Sequence, residues 1–502
     1  MSENGKQPAK PDHEPPAGAE ITASWTGGEE PIEYRATAKW HVLRKKEKPA
    51  AEIFSVAYVA EGGDEGRPVT FVFNGGPGAS SAYLHMGVVG PKRVDFPPDG
   101  TLPAMPPRLV QNEASWLGFT DLVFVDPVGT GFSRIIEAEK GDEEKDKNKK
   151  DDDDATDPKE YFGDKRDLES LCEFMGRWLS SNGRWGSPVL VAGESYGGYR
   201  VGRLVRMLQE STGIGLNGAI LISPALEITP LNPTDYDISG WIDRVPTMAA
   251  AAAHHGRSRV FDRKTRLDEV LAEAELFATG DFASFLARGA SMPADEREGT
   301  LARLADLVGL PVDLVVRAEG RIPIQIFSRE LLRDERKVVG LYDTTITATD
   351  PFPDREPFAG PDPTLAGIGP AYTMAINRHL RSEIGVETDR EYTVLSYEVN
   401  TDWKIDGEHH AFQPPPGATD DFRYGMALNP HLKAFITHGR YDLVTPYYAS
   451  DRLRNLMRLD PQMAGRVTVR HFGGGHMFYA WAESRRDFSE AIAAFVADAT
   501  SS

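Results

Sequence analysis

Residues 189–204, VLVAGESYGGYRVGRL, decide the fold of this chain. They pass from an apolar, β-branched run through Gly-Glu-Ser-Tyr-Gly into a segment whose apolar residues have helical spacing. A serine in a Gly-x-Ser-x-Gly turn between a strand and a helix is typical of a nucleophile elbow, where small neighbours permit the tight turn that exposes the hydroxyl. Ser195 is therefore a candidate nucleophile. The chain contains 48 glycines, so a glycine-rich turn without catalytic function is the alternative.

Short apolar runs recur along the chain, with helical patterns between most of them. They begin at Val69, Asp121, Ser187, Gly218, Lys433 and Arg466. Strands that alternate with helices form a parallel sheet covered on both faces. The sequence therefore predicts an α/β fold with a mostly parallel central sheet flanked by helices. Residues 31–42 and 53–60 are expected to be strands that lead into this sheet.

Two segments interrupt the strand pattern. Residues 226–369 contain amphipathic helical patterns, which predict a helical insertion between two strands. Residues 137–158 are rich in Asp, Glu and Lys and have almost no apolar residues, which predicts a disordered loop, and the polar residues 1–19 predict a disordered tail. The expected organisation is one α/β domain, residues 20–225 and 370–502, with the insertion at 226–369.

A serine hydroxyl needs a histidine that takes its proton and a carboxylate that orients the histidine. Candidates for both follow later strands, in the order Ser, Asp, His. Asp442 comes after the run KAFITHGRY, and His476 lies in a glycine-rich turn after RVTVRHF. These positions predict a triad of Ser195, Asp442 and His476. His471 and His438 are alternative bases, but they lie within or at the end of strands, where packing is the expected role.

The loop NGGPGASS, which begins at Asn74, follows an early strand. A backbone N–H from a loop in this place would act with the N–H of the residue after the nucleophile to stabilise an oxyanion. Gly76 and Tyr196 are the predicted donors. The alternative for these glycines is a tight turn alone.

The composition of the 502 residues restricts the class of protein. A formal net charge of −20 argues against general nucleic-acid binding. No apolar run is long enough to span a membrane, and the first residues lack the pattern of a signal peptide. Together with a single cysteine, Cys172, these features predict a cytoplasmic location. A metal site is one interpretation of the acidic run 151–154, but a solvated loop is the expected one. The pair His254 and His255 is too sparse for a metal site, so no metal or cofactor is expected.

Five motifs, NGGPGASS, VFVDPVGTGFSR, GESYGG, HGRYDLVTP and GGGHM, occur in the order and approximate spacing of the serine carboxypeptidase family. The chain resembles a bacterial-type member of that family. The resemblance implies an α/β-hydrolase fold with a helical cap, and a serine hydrolase that releases C-terminal residues from peptides through an acyl-enzyme. It implies the same triad and oxyanion donors, and it adds Asn74 and Glu194 to the site for the substrate's C-terminal carboxylate.

The chain departs from the family pattern at three positions. Familiar members have Trp, Cys and Glu where this sequence has Val72, Ala79 and Val88. In the family, that glutamate shares a proton with the residue equivalent to Glu194, and the pair hydrogen-bonds the substrate carboxylate. Without the partner, an ionised Glu194 would repel the substrate. We therefore expect either a protonated Glu194 or a compensating cation, for which Arg200 is the candidate.

Other functions share parts of this pattern. An aminopeptidase of the proline iminopeptidase type also has a Gly-Gly-Pro-Gly loop, although the asparagine before the loop and the motif DPVGTGFS favour the carboxypeptidase. An esterase or acyltransferase would use the same triad. A catalytically silent binding protein is a further alternative, which the complete triad disfavours.

Overall fold

The computed structural model describes residues 13–63, 66–136, 158–355, 360–405 and 417–501. The strands are β1 (Ala19–Trp25), β2 (Ile32–Lys45), β3 (Lys48–Ala60), β4 (Val69–Phe73), β5 (Lys92–Val94), β6 (Leu109–Gln111), β7 (Asp121–Asp126), β8 (Arg134–Ile135), β9 (Val189–Glu194), β10 (Gly218–Ile222), β11 (Lys337–Val339), β12 (Thr347–Thr349), β13 (Lys433–Thr437) and β14 (Val467–Val469).

The α-helices are α1 (Ala82–Leu84), α2 (Asp164–Ser181), α3 (Tyr196–Met207), α4 (Ser239–His255), α5 (Leu267–Phe277), α6 (Ala283–Arg288), α7 (Ala294–Val308), α8 (Val312–Arg317), α9 (Ile324–Glu330), α10 (Pro363–Arg378), α11 (Tyr397–Asp402), α12 (Thr419–Leu428), α13 (Tyr447–Leu456), α14 (Pro461–Gly465) and α15 (Ala482–Thr500). Two shorter helical turns lie near the candidate site, at His85–Val89 and Phe478–Ala480.

The main sheet has the strand order β1-β2-β3-β7-β4-β9-β10-β13-β14, and β8 pairs with β3. The strands β7, β4, β9, β10, β13 and β14 run parallel to one another. The strands β1, β2 and β3 form an antiparallel extension that joins this part of the sheet at β7. The prediction of an α/β fold with a mostly parallel sheet is confirmed.

The register aligns the carboxyl ends of the central strands. Phe73 of β4 lies beside Gly193 of β9, and Ile222 of β10 lies between Glu194 and Thr437 of its two neighbours. The residues that follow these strands therefore meet at one edge of the sheet, which is where open parallel sheets bind ligands.

The sheet is buried on both faces, which explains why its strands are continuously apolar. On β4, Phe71 and Phe73 pack with α2 and α3, whereas Val72 packs on the opposite face in a core that includes Phe488 and Ile492 of α15. Burying one such side chain contributes about 1.5–3 kcal/mol. The two cores fix the position of the strand ends that carry the site.

The helices α4 to α9 lie between β10 and β13 in the chain and have a core of their own. Leu443, from the loop after β13, is packed into that core. The expected boundary at residue 369 falls inside α10, and Ile368, Tyr372 and Ile376 of this helix belong to the core of the main sheet.

Parts of two predicted segments lie outside the described residues. This applies to residues 137–157 of the charged loop and residues 1–12 of the tail, while Pro158 begins a short helical turn and Ala19 is the first residue of β1. Among the described residues, no helix combines the length and apolar character that a membrane span requires.

Candidate active site

Ser195 occupies a sharp turn between β9 and α3. Its backbone has φ 61° and ψ −122°, which is rare for a residue with a side chain. The turn is held on both sides: the Ser195 N–H donates to the Ile222 carbonyl at 2.9 Å, and the Ala225 N–H donates to the Ser195 carbonyl at 3.1 Å. A Cβ on Gly193 would lie 2.2 Å from the Gly197 carbonyl oxygen, so the motif needs glycine there. This is the geometry predicted for a nucleophile elbow.

His476 and Asp442 meet in the structure. His476 Nδ1 lies 2.6 Å from Asp442 Oδ2, and the Asp442 carboxylate is fully buried. The other oxygen, Oδ1, accepts hydrogen bonds from the N–H groups of Val444 and Thr445 at 2.8 and 3.1 Å. The carboxylate therefore has a fixed orientation, and it holds Nε2 of His476 as the free nitrogen of the ring.

The electrostatic surroundings keep His476 basic. Burial alone would lower its pKa, but the charge and hydrogen bond of Asp442 and the charge of Glu194 raise the pKa above 6.5. A histidine in this setting takes a proton readily and stabilises the resulting imidazolium, as a general base requires.

Thr445 joins the parts of this arrangement. Its hydroxyl lies 2.7 Å from Asp442 Oδ2, 3.0 Å from His476 Nδ1 and 3.0 Å from the Ser223 carbonyl oxygen. The Ser223 hydroxyl in turn donates to the His476 carbonyl at 2.8 Å. Two hydroxyl groups therefore connect three parts of the chain: the turn that carries Asp442 (the acid turn), the turn that carries His476 (the base turn) and the end of β10.

The glycine loop after β4 lies directly against the elbow. A Cβ on Gly75 would come within 2.4 Å of the Tyr196 nitrogen, so only glycine permits this approach. Tyr196 begins α3, and its N–H is in the first helical turn, where no intrahelical acceptor exists. The loop therefore contacts Tyr196 through Gly75, and Gly76 lines the same cavity as Ser195, so Gly76 and Tyr196 stay the predicted oxyanion donors.

Glu194 is buried next to the nucleophile, with 3% of its surface exposed. Its Oε2 accepts a hydrogen bond from Asn74 Nδ2, and its Oε1 accepts one from the Tyr479 hydroxyl at 2.8 Å. Burial raises the pKa of Glu194 to about 7, against the lowering effects of His476 and of these two donors. The carboxyl can therefore be protonated near neutral pH.

Arg200 does not reach Glu194, so the proposal of a compensating cation is wrong. It is completely buried and forms two hydrogen bonds to Asp167, of 2.6 and 3.2 Å. Its third contact is to the Asn74 carbonyl oxygen at 2.8 Å. The guanidinium fixes the backbone of Asn74 and presents no free charge to a substrate.

The two alternative histidines lie outside the triad. His471 Nε2 is 3.0 Å from Asp451. His438 is fully buried between the Thr445 carbonyl and the Ser450 hydroxyl, and burial holds its pKa well below 6.5. Among the candidate bases, His476 is the one that shares a cavity with Ser195.

Residues 341–344, which we call the strap, connect the helical insertion to both catalytic turns. On the acid turn, the Leu443 N–H donates to the Leu341 carbonyl at 3.0 Å, and the Thr344 N–H donates to Tyr441 at 3.0 Å. On the base turn, the His476 N–H donates to the Tyr342 carbonyl at 2.5 Å. The Gly475 N–H donates to Asp343 Oδ2 at 3.0 Å.

The site opens on a cavity of about 60 Å³. Its lining includes Asn74, Gly76, Glu194, Ser195, Tyr342 and His476. A larger cleft of about 440 Å³ adjoins the cavity and shares Tyr83, Leu365 and Leu395 with it. The candidate nucleophile Ser195, the candidate base His476 and the protonatable carboxyl of Glu194 therefore line one small cavity.

Residues 34–232 match the family model described as serine carboxypeptidase. Over these residues, less than half of the chain, the sequence is similar to the serine carboxypeptidase family, in agreement with the resemblance that the motifs indicate. The pheromone-processing carboxypeptidase KEX1 of Saccharomyces cerevisiae is 36% identical over 137 residues, which are 27% of this chain and 16% of the yeast protein. Serine carboxypeptidase-like 36 of Arabidopsis thaliana is 31% identical over 164 residues, which are 32% of this chain and 28% of the plant protein. The matches thus span less than a third of these relatives.

The fold extends beyond the matched segment. The crystal structure of a prohormone-processing carboxypeptidase, KEX1(delta)p from Saccharomyces cerevisiae, superposes with a TM-score of 0.52 and 14% identity. The superposition covers 93% of this chain and 92% of the yeast structure. It confirms the α/β-hydrolase fold that the family resemblance implies.

The predicted cytoplasmic location is contradicted by these relatives. The yeast and plant serine carboxypeptidases that the chain resembles are enzymes of the secretory pathway or the vacuole. The prediction rested on the single cysteine and on the composition of the first residues. Neither feature identifies the compartment of a member of this family.

The residues that support this candidate site differ in how far the sequence reveals them. Thr445 follows Asp442 closely enough for a local turn to suggest its role. Tyr479 and the strap residues Tyr342 and Asp343 act on partners more than a hundred positions away, and no motif marks them.

Proposed function

We propose that the chain is a serine-type carboxypeptidase that releases C-terminal residues from peptides through an acyl-enzyme. The observation that carries this proposal is the buried, protonatable carboxyl of Glu194 in the same cavity as Ser195 and His476. A general hydrolase site needs a nucleophile and a base, but it has no need for a buried carboxyl beside them. A site that receives the carboxylate at the end of a peptide does need one.

In this mechanism, Ser195 attacks the carbonyl of the last peptide bond while neutral His476 takes the hydroxyl proton. Asp442 stabilises the imidazolium, and the N–H groups of Gly76 and Tyr196 stabilise the oxyanion. His476 then gives its proton to the departing amine, which leaves with the C-terminal residue. Water, deprotonated by the same histidine, releases the shortened peptide from Ser195.

Glu194 and its neighbour Asn74 would receive the substrate carboxylate. A protonated Glu194 donates a hydrogen bond to that carboxylate, whereas an ionised Glu194 repels it. With the pKa of Glu194 at about 7, binding of a free C-terminus weakens as pH rises through neutrality. The base has the opposite requirement, because His476 must lose its proton to act. The two groups therefore give a bell-shaped profile for substrates with a free C-terminus.

The alternatives differ in what they ask of Glu194. An aminopeptidase of the proline iminopeptidase type would use an ionised carboxyl near the nucleophile to attract the substrate's ammonium group, so its activity would rise through pH 7. An esterase or acyltransferase would place no charge there, and its activity would not depend on Glu194. The direction of the pH dependence separates the three functions.

The test combines active-site labelling with matched peptides. A fluorophosphonate should label the wild type but not Ser195→Ala, whose turnover should fall by about 10⁴ or more. An N-blocked dipeptide with a free C-terminus should then be cleaved with a higher kcat/KM than its C-terminal amide. Equal rates on acid and amide would point to an esterase. Cleavage that requires a free N-terminus would point to an aminopeptidase, and a lack of labelling would point to a binding protein.

We also propose that the helices α4 to α9 form the cap of this enzyme. Their separate core and the strap that leaves them for the catalytic turns support this role. The strap residue Tyr342 lines the cavity, and its ring meets His476 edge to face at 5.3 Å. The cap would thus set which side chains fit beside the scissile bond.

A further inference from the structure

Tyr479 is the second donor on the carboxyl that faces the nucleophile. It lies in the turn Phe478–Ala480, three residues after the base His476, and its side chain is completely buried. Its hydroxyl is 2.8 Å from Glu194 Oε1, while the Asn74 amide binds Oε2. Both oxygens of Glu194 therefore have a donor from a different element, and the plane of the carboxyl is fixed.

The ring of Tyr479 lies beside Val88, the position at which familiar members of the family have a second acid. A Cβ on Gly87 would lie 2.5 Å from a Tyr479 ring carbon, so the ring presses on the backbone next to Val88. Val88 itself is fully buried and apolar. On this side, the polar group that contacts Glu194 is therefore the Tyr479 phenol, which can donate a hydrogen bond but carries no charge at neutral pH.

The other titratable groups around Glu194 are few. His476 lowers its pKa and Asp442 raises it, and both belong to the triad. Tyr83 and Tyr372 come from α1 and α10, and burial raises the pKa of both phenols, so they stay neutral. Tyr479 donates a hydrogen bond to Glu194 Oε1, whereas the Tyr372 hydroxyl has no hydrogen-bond partner among the described residues.

We propose that Tyr479 is a positioning residue that orients the Glu194 carboxyl toward the substrate's C-terminal carboxylate and sets the pH at which that site works. The proposal rests on the proposed function. A hydrogen bond from a neutral donor favours the ionised form of the carboxyl but does not compel it. Tyr479 therefore keeps Glu194 in one orientation in both protonation states, which a glutamate partner would not do.

The test is Tyr479→Phe, measured as kcat/KM against pH on an N-blocked dipeptide and on its C-terminal amide. Loss of the donor raises the pKa of Glu194, because the hydrogen bond from Tyr479 lowers it in the wild type. The descending limb for the free acid should therefore move to higher pH. At low pH, where Glu194 is protonated in both proteins, KM for the acid should rise about three- to tenfold through lost orientation. The profile on the amide should keep its shape.

Tyr372→Phe is the matched control, since it removes a nearby buried hydroxyl that forms no hydrogen bond to Glu194. The descending limb of the pH profile of Tyr372→Phe should stay at the wild-type pH. An unmoved limb in Tyr479→Phe, or an equal shift in both variants, would overturn the proposal. If the wild-type protein cleaves the free acid and the amide equally well, the proposed function is overturned instead. That measurement is made before any variant is prepared.

A second substitution keeps the test decisive if Tyr479→Phe is poorly folded. Difluorotyrosine at position 479 retains the shape of the side chain and donates a stronger hydrogen bond. It should move the descending limb to lower pH, opposite to the phenylalanine variant. A limb that does not move, or moves upward, contradicts the role of the hydroxyl.

Discussion

Thr445 lies outside the proposed triad but contacts both Asp442 and His476. Its single hydroxyl lies within 3.0 Å of oxygen or nitrogen atoms on the acid, the base and the end of β10. Because Asp442 is completely buried, its carboxylate is stabilised by protein donors and not by bulk water. A hydrogen bond to a buried charge contributes about 1.5–3 kcal/mol.

We predict that Thr445→Val lowers kcat/KM by about tenfold or more, because Asp442 loses a donor and His476 loses a fixed neighbour. Thr437→Val is the matched control: Thr437 is equally buried, and its hydroxyl has no partner among the described residues. Steady-state kinetics on one ester substrate compare the two. A similar loss in both variants would show that the effect comes from packing.

At the level of elements, the strap makes the catalytic turns depend on the helical insertion. Asp343 is its most constrained residue: Oδ2 accepts from the Gly475 N–H and the Trp481 indole, and Oδ1 accepts from Thr345. Burial raises the pKa of Asp343 to about 6, so the carboxylate is mainly ionised at neutral pH. Four donors therefore converge on one side chain next to the base.

We predict that Asp343→Asn lowers kcat more than it raises KM, because an amide cannot accept all four bonds and leaves the Gly475 turn loose. An unsatisfied buried N–H costs about 1–3 kcal/mol. Asp350→Asn serves as the control, since Asp350 is also buried in an ion pair, with Arg329, but does not touch a catalytic turn. Thermal unfolding and kinetics are measured on both. Loss of stability with full activity in Asp343→Asn would show that the strap has no catalytic role.

For the molecule as a whole, Leu443 couples the two cores. It is the residue after the triad acid, and its side chain is fully buried in the core of the helical insertion. Its backbone N–H also binds the strap. The acid turn is therefore anchored on one side by the sheet and on the other by the insertion.

We predict that Leu443→Ala and Leu304→Ala destabilise the protein by similar amounts, about 2–5 kcal/mol each, because both remove a buried leucine from the same core. Leu304 lies in α7, away from the triad. Activity below the unfolding temperature should therefore fall in Leu443→Ala and persist in Leu304→Ala. Equal activity in the two variants would mean that the acid turn holds its shape without the insertion.

The parts that could be predicted from sequence are those whose causes are local. The elbow at Ser195 needs small residues within two positions, and Asp442 and His476 each follow a strand that is visible as an apolar run. Tyr479 contacts Glu194 across 285 positions, so no short pattern reveals the contact. The core that α10 joins is hidden for a similar reason, because an amphipathic pattern shows that a helix is buried on one face but not which core covers that face.

The strap also restricts how a substrate can arrive. Many hydrolases admit substrate by lifting a lid, but here such a movement would break the hydrogen bonds that hold the acid and the base in place. Within the described residues, a cleft between α10 and residues 391–397 meets the cavity at Tyr83, Leu365 and Leu395 and offers a route to it. A compact domain is too wide for that cleft, whereas a frayed chain end is not. The proposed carboxypeptidase would therefore select substrates first by whether their C-terminal residues are unfolded, and only then by the identity of those residues.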